Sequence, residues 1–340
     1  MNSQRLLVWL PSPLGDAIMA TPALRAFRSN LPHASITFSA PTFTRQVLSP
    51  GPFCDAWLEP GRSFAEHVGR LKSGAFDSVI LLKNSFGSAL TARLAGIPRR
   101  IGYARDMRSV LLTDRVPPVR DEKGRFKPLP MIDYYLAIAS FLGMNIDSRK
   151  TELSFTPDQR EAMLARLPQL KDAARPLVIL VPGGAFGPSK LWPNGRYAEL
   201  ADRLNQTCGA TVLLSVAPVP KEIEIAEDIR SKAKSPVINL GLTPLNGGCL
   251  KALFGSADLV ISNDTGPRHI AIALDKPVVS LFGPNNPRWT QSGHDKEIQI
   301  IGKAPCVPCD RPVCKQNQHL CMESITVEQV LDKTATLLKV

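Results

Sequence analysis

At 340 residues, 44% hydrophobic and 21% charged, the chain has the length of two domains and the balance of a globular protein with sizeable cores. No apolar run approaches the ~18 residues needed to span a bilayer, and MNSQRLLVWLPSP carries too few apolar residues for a secretory leader, so the expected compartment is the cytoplasm. The net charge of +11 invites a nucleic-acid partner, but aromatics are only 6% and no base-stacking motif is present, so none is expected.

In chain order, residues 5–10, 35–39, 78–83 and 99–103 read as strands. Helical patterns near 14–29, 62–73, 87–95 and 130–143 separate them. Residues 145–176 are polar and punctuated by proline, and a domain boundary is expected there. The alternation then restarts, with strands at 177–182, 211–216, 237–240, 259–262 and 278–282. The intervening helices are expected at 194–207, 219–231, 244–254 and 266–273. A last helical pattern covers 325–339. Strands alternating with helix-length crossovers predict two doubly wound α/β domains with parallel sheets. The expected limits are 1–160 and 175–324, with a terminal helix at 325–340 packing back toward the first domain. Ligands of such sheets bind at the carboxyl ends of strands, where the strand order reverses, and two such domains would face a central cleft.

Three stretches stand at strand ends. In PSPLGDAIMATPAL (11–24) a single carboxylate, Asp16, sits where a strand hands over to a helix. It could cap a helix starting near Ala17, or act as a base facing the cleft. In PGGAFGPSKLWP (182–193) a glycine-rich loop carries Lys190, either a diphosphate clamp or a solvated lysine. In NDTGPRH (263–269) Asp264 or Thr265 can cap the following helix, whose N-terminus with Gly266 would admit a phosphate. His269 could equally be a core histidine. Neither GxGxxG nor GxxxxGK[ST] is present, which argues against dehydrogenase and P-loop kinase readings. Between residues 93 and 127, ten basic residues stand against four acidic ones. That cluster suits a phosphorylated substrate or an anionic membrane surface, with a solvated basic face as the plain alternative.

Taken together, PLGDAIMATPALRA (13–26), PGGAFGPSKLWP (182–193), SNDTGPRHIAIAL (262–274) and LFGPNNPRWT (281–290) resemble glycosyltransferase family 9, the ADP-heptose:lipopolysaccharide heptosyltransferases. The middle motif is most similar to the heptosyltransferase II branch. Ala185 and Phe186 stand where some relatives of the first branch carry hydroxyl side chains. The resemblance implies a GT-B fold and an inverting transfer of heptose from ADP-L-glycero-D-manno-heptose to the lipopolysaccharide inner core. It implies no metal for the chemistry. Carried over residue by residue, it makes Asp16 the base and Lys190 the phosphate-holding lysine beside Gly184. Asp264, Thr265, Gly266 and His269 become donor contacts, and Leu242 and Thr243 are expected near the adenine. The acceptor would be the lipid A–core glycolipid. Arg99, Arg100, Arg105 and Arg108 are its expected contacts, and the same basic region would hold the enzyme peripherally on the anionic inner face of the inner membrane.

The tail is a separate matter. Cys306, Cys309, Cys314, His319 and Cys321 place five soft ligands within 16 residues. Four would suffice for a structural zinc, but the spacing matches no standard finger. Reduced thiols and a disulfide stay open beside zinc. Two rival functions also stand: a nucleotide-sugar 2-epimerase of the same architecture, which would need a further acid/base constellation around the sugar, and a non-catalytic member that binds nucleotide or lipid.

Overall fold

A computed structural model describes residues 4–125, 127–316 and 318–339. The chain divides into two compact units, Met1–Thr151 and Glu152–Val340. Each is built on a six-stranded sheet whose neighbouring strands are all parallel.

The first sheet contains β1 (Arg5–Trp9), β2 (Ser35–Ser39), β3 (Ala56–Leu58), β4 (Ser78–Leu81), β5 (Arg99–Tyr103) and β6 (Asp114–Val116), in the order β3-β2-β1-β4-β5-β6. The second contains β7 (Leu177–Val181), β8 (Thr211–Leu214), β9 (Val237–Asn239), β10 (Leu259–Asn263), β11 (Val278–Phe282) and β12 (Glu297–Ile301), in the order β12-β11-β10-β7-β8-β9. Each order reverses once, between β1 and β4 in the first sheet and between β7 and β10 in the second. Those are the places where a doubly wound sheet opens a crevice at its carboxyl edge.

The central strands are apolar because helices cover both faces of a parallel sheet. Every residue of SVIL (β4), LVILV (β7) and VVSLF (β11) is buried. Leu7, Trp9, Val79 and Leu81 pack with Ala89 and Ala92 of the helix Phe86–Leu94 in one core of the first unit. In the second unit Val178, Leu180, Leu259 and Ile261 pack with Trp192, Tyr197 and Met322.

One expected limit is corrected. The helix Pro157–Arg166 lies in the second unit, not in a first domain ending at 160. Leu153 donates to the Ala273 carbonyl (2.9 Å), and Phe155 lies so close to Gly255 that a β-carbon there would meet its ring at 2.1 Å. The terminal helix Val327–Leu338 puts Val327 and Val330 into the core of its own unit. The Trp192 indole donates to the Ile325 carbonyl (2.9 Å) and fixes the entry to that helix. The expected helix at 14–29 is two, Leu14–Met19 and Thr21–Asn30, parted at Ala20 ahead of Pro22.

Candidate donor and acceptor sites

In the second unit, the loops after β7 and β10 meet at the crevice. β10 ends at Asn263, whose side chain is buried and donates to the carbonyls of Pro182 (2.9 Å) and Gly183 (3.4 Å). The Tyr197 hydroxyl donates to Asn263 Oδ1 (3.2 Å). Glu222, in the first turn of the helix Pro220–Lys232, accepts from the amides of Gly184 (3.1 Å) and Ala217 (2.8 Å). The glycine-rich loop is therefore held from two sides. Gly184 has φ +153°, and a β-carbon there would lie 2.5 Å from Lys190 Cε and 2.9 Å from its Nζ. Only glycine lets the loop pass so close to that lysine.

Lys190 is buried, and its ammonium donates to the Asp264 carbonyl (2.8 Å), 5.6 Å from the centre of the Phe186 ring. An ammonium has three donors, so this bond orients it without exhausting it. Burial pulls its pKa down, and Asp264 and Glu222 partly offset that. The helix Gly266–Ala273 follows, with Thr265 at its N-cap making no side-chain capping bond. The Lys190 ammonium and this helix start are both cationic features at the end of β10.

Asp264 does not present an open carboxylate. Its Oδ1 accepts from Arg268 Nη1 (3.0 Å) and its Oδ2 from Asn285 (3.2 Å). Burial pushes its pKa up, but Arg268, His269, Asn285 and Lys190 outweigh that and hold it below the ordinary aspartate value. Arg268 is fully buried and also pairs with Glu297 of β12 (2.6 Å). His269 Nε2 lies 4.0 Å from Asp264 Oδ1. Burial first, and Arg268 second, lower the His269 pKa to about 4, so the imidazole is neutral at physiological pH. Asn263, Glu222, Arg268 and Asn285 had no assigned role in the sequence reading. Leu242 and Thr243 lie just past the carboxyl end of β9, two strands from β7, and the Leu242 side chain is exposed.

In the first unit, Asp16 is the third residue of the helix Leu14–Met19, directly after β1. The N-cap is Pro13 and no side chain caps this helix, so Asp16 is not the cap. Tyr135 is buried; burial raises its pKa well above the ordinary tyrosine value, Asp16 adds to the rise and Arg105 opposes it. Asp16 and Arg105 thus bear on one side chain. Of the expected acceptor contacts, Arg108 is corrected. It is fully buried, donating to the Tyr103 (2.9 Å) and Lys83 (2.7 Å) carbonyls and to Asn84 Oδ1 (2.7 Å), so it knits loops together rather than facing a ligand. Arg100 donates to the carbonyls of Ile97, Pro98 and Leu111, and Arg99 is paired with Asp114 (2.6 Å). Arg105 donates to Asp106 (3.0 Å) and reaches the Tyr134 hydroxyl (3.5 Å), which also accepts from Asn84 (2.9 Å).

Cys306, Cys314 and Cys321 line one cavity of about 160 Å³. Burial raises the Cys321 pKa, and Cys306, Cys314 and Cys309 add to the rise. Among the described residues no group of three or more His, Cys, Asp or Glu, His319 included, is arranged to hold a metal ion, and the seven thiols are unpaired.

Residues 64–320 match the family model described as glycosyltransferase family 9 (heptosyltransferase). The chain is 30% identical to lipopolysaccharide heptosyltransferase 2 of Salmonella typhimurium, with 98% of each chain covered. It superposes on the structure of Escherichia coli ADP-heptose lps heptosyltransferase II with a TM-score of 0.80 at 27% identity, covering 98% of both chains. An E. coli heptosyltransferase solved with ADP-2-deoxy-2-fluoro heptose shares the fold, with a TM-score of 0.72 at 18% identity over 98% of this chain and 99% of that one. Two reversed-order parallel sheets, a buried lysine over a glycine loop and a full-length match converge, and the chain belongs to glycosyltransferase family 9.

Proposed function

We propose that the protein transfers a heptose, with inversion, from ADP-L-glycero-D-manno-heptose to the lipopolysaccharide inner core, as a heptosyltransferase of the second type. The observation that carries this reading is the Lys190–Asp264–Gly184 arrangement at the start of the helix Gly266–Ala273. It offers a cation and helix amides where a diphosphate leaving group would develop charge. In the transfer, the acceptor hydroxyl oxygen bonds to the anomeric carbon. The bond from that carbon to the β-phosphate oxygen breaks, and its electron pair leaves with ADP. The hydroxyl proton passes to the Asp16 carboxylate. Lys190 and the helix amides meet the diphosphate charge, so the chemistry needs no metal ion. Thr265, Gly266 and the neutral His269 line the donor side, and Leu242 and Thr243 lie toward the base.

On the acceptor side we assign the phosphorylated glycolipid to Arg105, a reading supported by its reach to the Tyr134 hydroxyl, which also accepts from Asn84. No helix among the described residues is long and apolar enough to cross a membrane. The exposed Met107 and Val110, with the exposed Arg115, Arg120 and Lys123 further along the same segment, support peripheral docking on the anionic inner face of the inner membrane.

Thermal shift tests the donor assignment. A ligand bound only to the folded state raises its stability by RT ln(1 + [L]/Kd). ADP is expected to raise the melting temperature and UDP to leave it unchanged. A preference for UDP would remove ADP-heptose as donor while leaving the fold assignment untouched.

A further inference from the structure

The segment between β12 and the helix Leu320–Glu323 contains no helix or strand among its described residues. Loops of that length inside a compact unit are uncommon and usually serve a function. This one is anchored in the core of the second unit, where Ala304 and Val307 pack against the buried cluster. Its middle meets the loop after β7 and the loop after β11, each of which sends a side chain to Asp264. The Ser189 hydroxyl donates to the Arg311 carbonyl (2.5 Å) and the Ser189 amide to the Pro312 carbonyl (3.2 Å). Gly187 has φ +147°, and a β-carbon there would lie 2.3 Å from the Pro312 carbonyl oxygen, so the close approach requires glycine. A few residues earlier, the amides of Cys309 and Asp310 donate to the Pro284 carbonyl (3.0 and 2.9 Å), and Asp310 Oδ1 accepts from the Asn286 amide (2.8 Å).

Ser189 immediately precedes Lys190, which donates to the Asp264 carbonyl. Asn285 lies between the two residues held by Asp310, and its amide donates to Asp264 Oδ2. Lys190 and Asn285 approach Asp264 from different loops, and both loops rest on the same cysteine-rich segment. We propose that this segment is a strut that sets the donor site, with Ser189 and Asp310 as positioning residues. Neither touches the donor. Each holds the backbone from which a donor-site side chain extends. The inference rests on the donor-site reading above and adds to it that donor affinity is set from the tail.

The test measures the ADP dissociation constant by calorimetry, donor KM and kcat at saturating acceptor, and melting temperature, on the full-length protein. Asp310 has φ +50°, so Asp310→Gly removes the acceptor oxygen without straining the backbone, whereas Asp310→Asn keeps an acceptor oxygen and tolerates the same φ. Ser189→Ala removes the other contact. A hydrogen bond worth about 0.5–1.5 kcal/mol corresponds to roughly 2–12-fold in an equilibrium constant. Asp310→Gly and Ser189→Ala are each expected to raise the ADP Kd and the donor KM by several-fold, with kcat changed by less than about twofold. Asp310→Asn is expected to restore wild-type values. Lowered melting temperatures with unchanged ADP affinity would overturn the strut and leave these contacts merely structural. If Asp310→Gly does not fold, Ser189→Ala and Asp310→Asn decide on the same readouts. Wild-type protein that fails to bind ADP would sink the donor-site reading itself and the strut with it, a result distinct from wild-type and variants binding ADP equally well.

Discussion

At the scale of single residues, arginines that look alike in sequence divide into different jobs. Arg105 and Arg108 are separated by only two residues, yet Arg108 is sealed inside the first unit against the carbonyls of Tyr103 and Lys83, while Arg105 reaches the Tyr134 hydroxyl. Arg108→Ala leaves buried acceptors without their donor, which costs about 1–3 kcal/mol for each group so stranded. It is expected to lower the urea midpoint clearly. Arg105→Ala is expected to leave that midpoint nearly unchanged and to raise acceptor KM without moving donor KM. Equal effects of Arg105→Ala on the two substrates would remove it from the acceptor side. Sequence alone could not make this division, because the side of the sheet a loop arginine faces depends on partners far along the chain. The same holds in the donor site. Lys190 and Gly184 were legible from the glycine-rich loop. The supports around them, Asn263, Glu222 and Asn285, acquire roles only once β7 and β10 are neighbours.

At the scale of elements, the buried strands were the legible part. LVILV and VVSLF have no polar face and can only be central strands between helical layers. The strands that escaped notice lie toward the sheet edges. AWL (β3) and DRV (β6) have three residues each, too short for a period to show, and EIQII (β12) mixes polar and apolar residues. Glu297, which begins β12, is there for the helix Gly266–Ala273: it neutralises Arg268 on that helix and accepts from Ser280 of β11 (2.5 Å). The same helix gives the unit an acid sensitivity. His269 has a pKa of about 4 when folded against an ordinary value of 6.5, so between these values the unfolded chain binds the extra proton. Its contribution to stability is therefore complete above about pH 6.5 and is lost as the pH falls toward 4. His67 in the first unit, lowered by burial and by Lys83 and Arg70, acts with the same sign. The melting temperature of the wild type is expected to fall between about pH 7 and pH 5, and that of His269→Gln to fall less over the same interval. Parallel curves for the two proteins would show that His269 is not buried neutral.

At the scale of the whole molecule, the proposed base and the proposed leaving-group stabilisers come from different units of the chain. Asp16 follows β1 of the first sheet, and Lys190 and the helix Gly266–Ala273 follow β7 and β10 of the second. Each unit places its contribution at the reversal of its own strand order, which is why two short motifs more than a hundred residues apart could be matched to one reaction. Asp16 sits in the first turn of its helix, where an acid gains only about 0.3–1 kcal/mol from the helix dipole, so replacing it puts little stability at stake while the proposal makes its loss large in rate. The most direct measurement mixes ADP-heptose with an inner-core glycolipid acceptor that lacks the added heptose, and follows product mass and ADP release for the wild type and for Asp16→Asn. The wild type is expected to yield acceptor one heptose heavier, with one ADP released per transfer and with chelator present. Asp16→Asn is expected to fold and bind ADP normally and to lose roughly 10²–10⁴-fold in kcat. A heptose-free acceptor after complete ADP release, or an Asp16→Asn variant with wild-type kcat when chemistry is rate-limiting, would contradict the account.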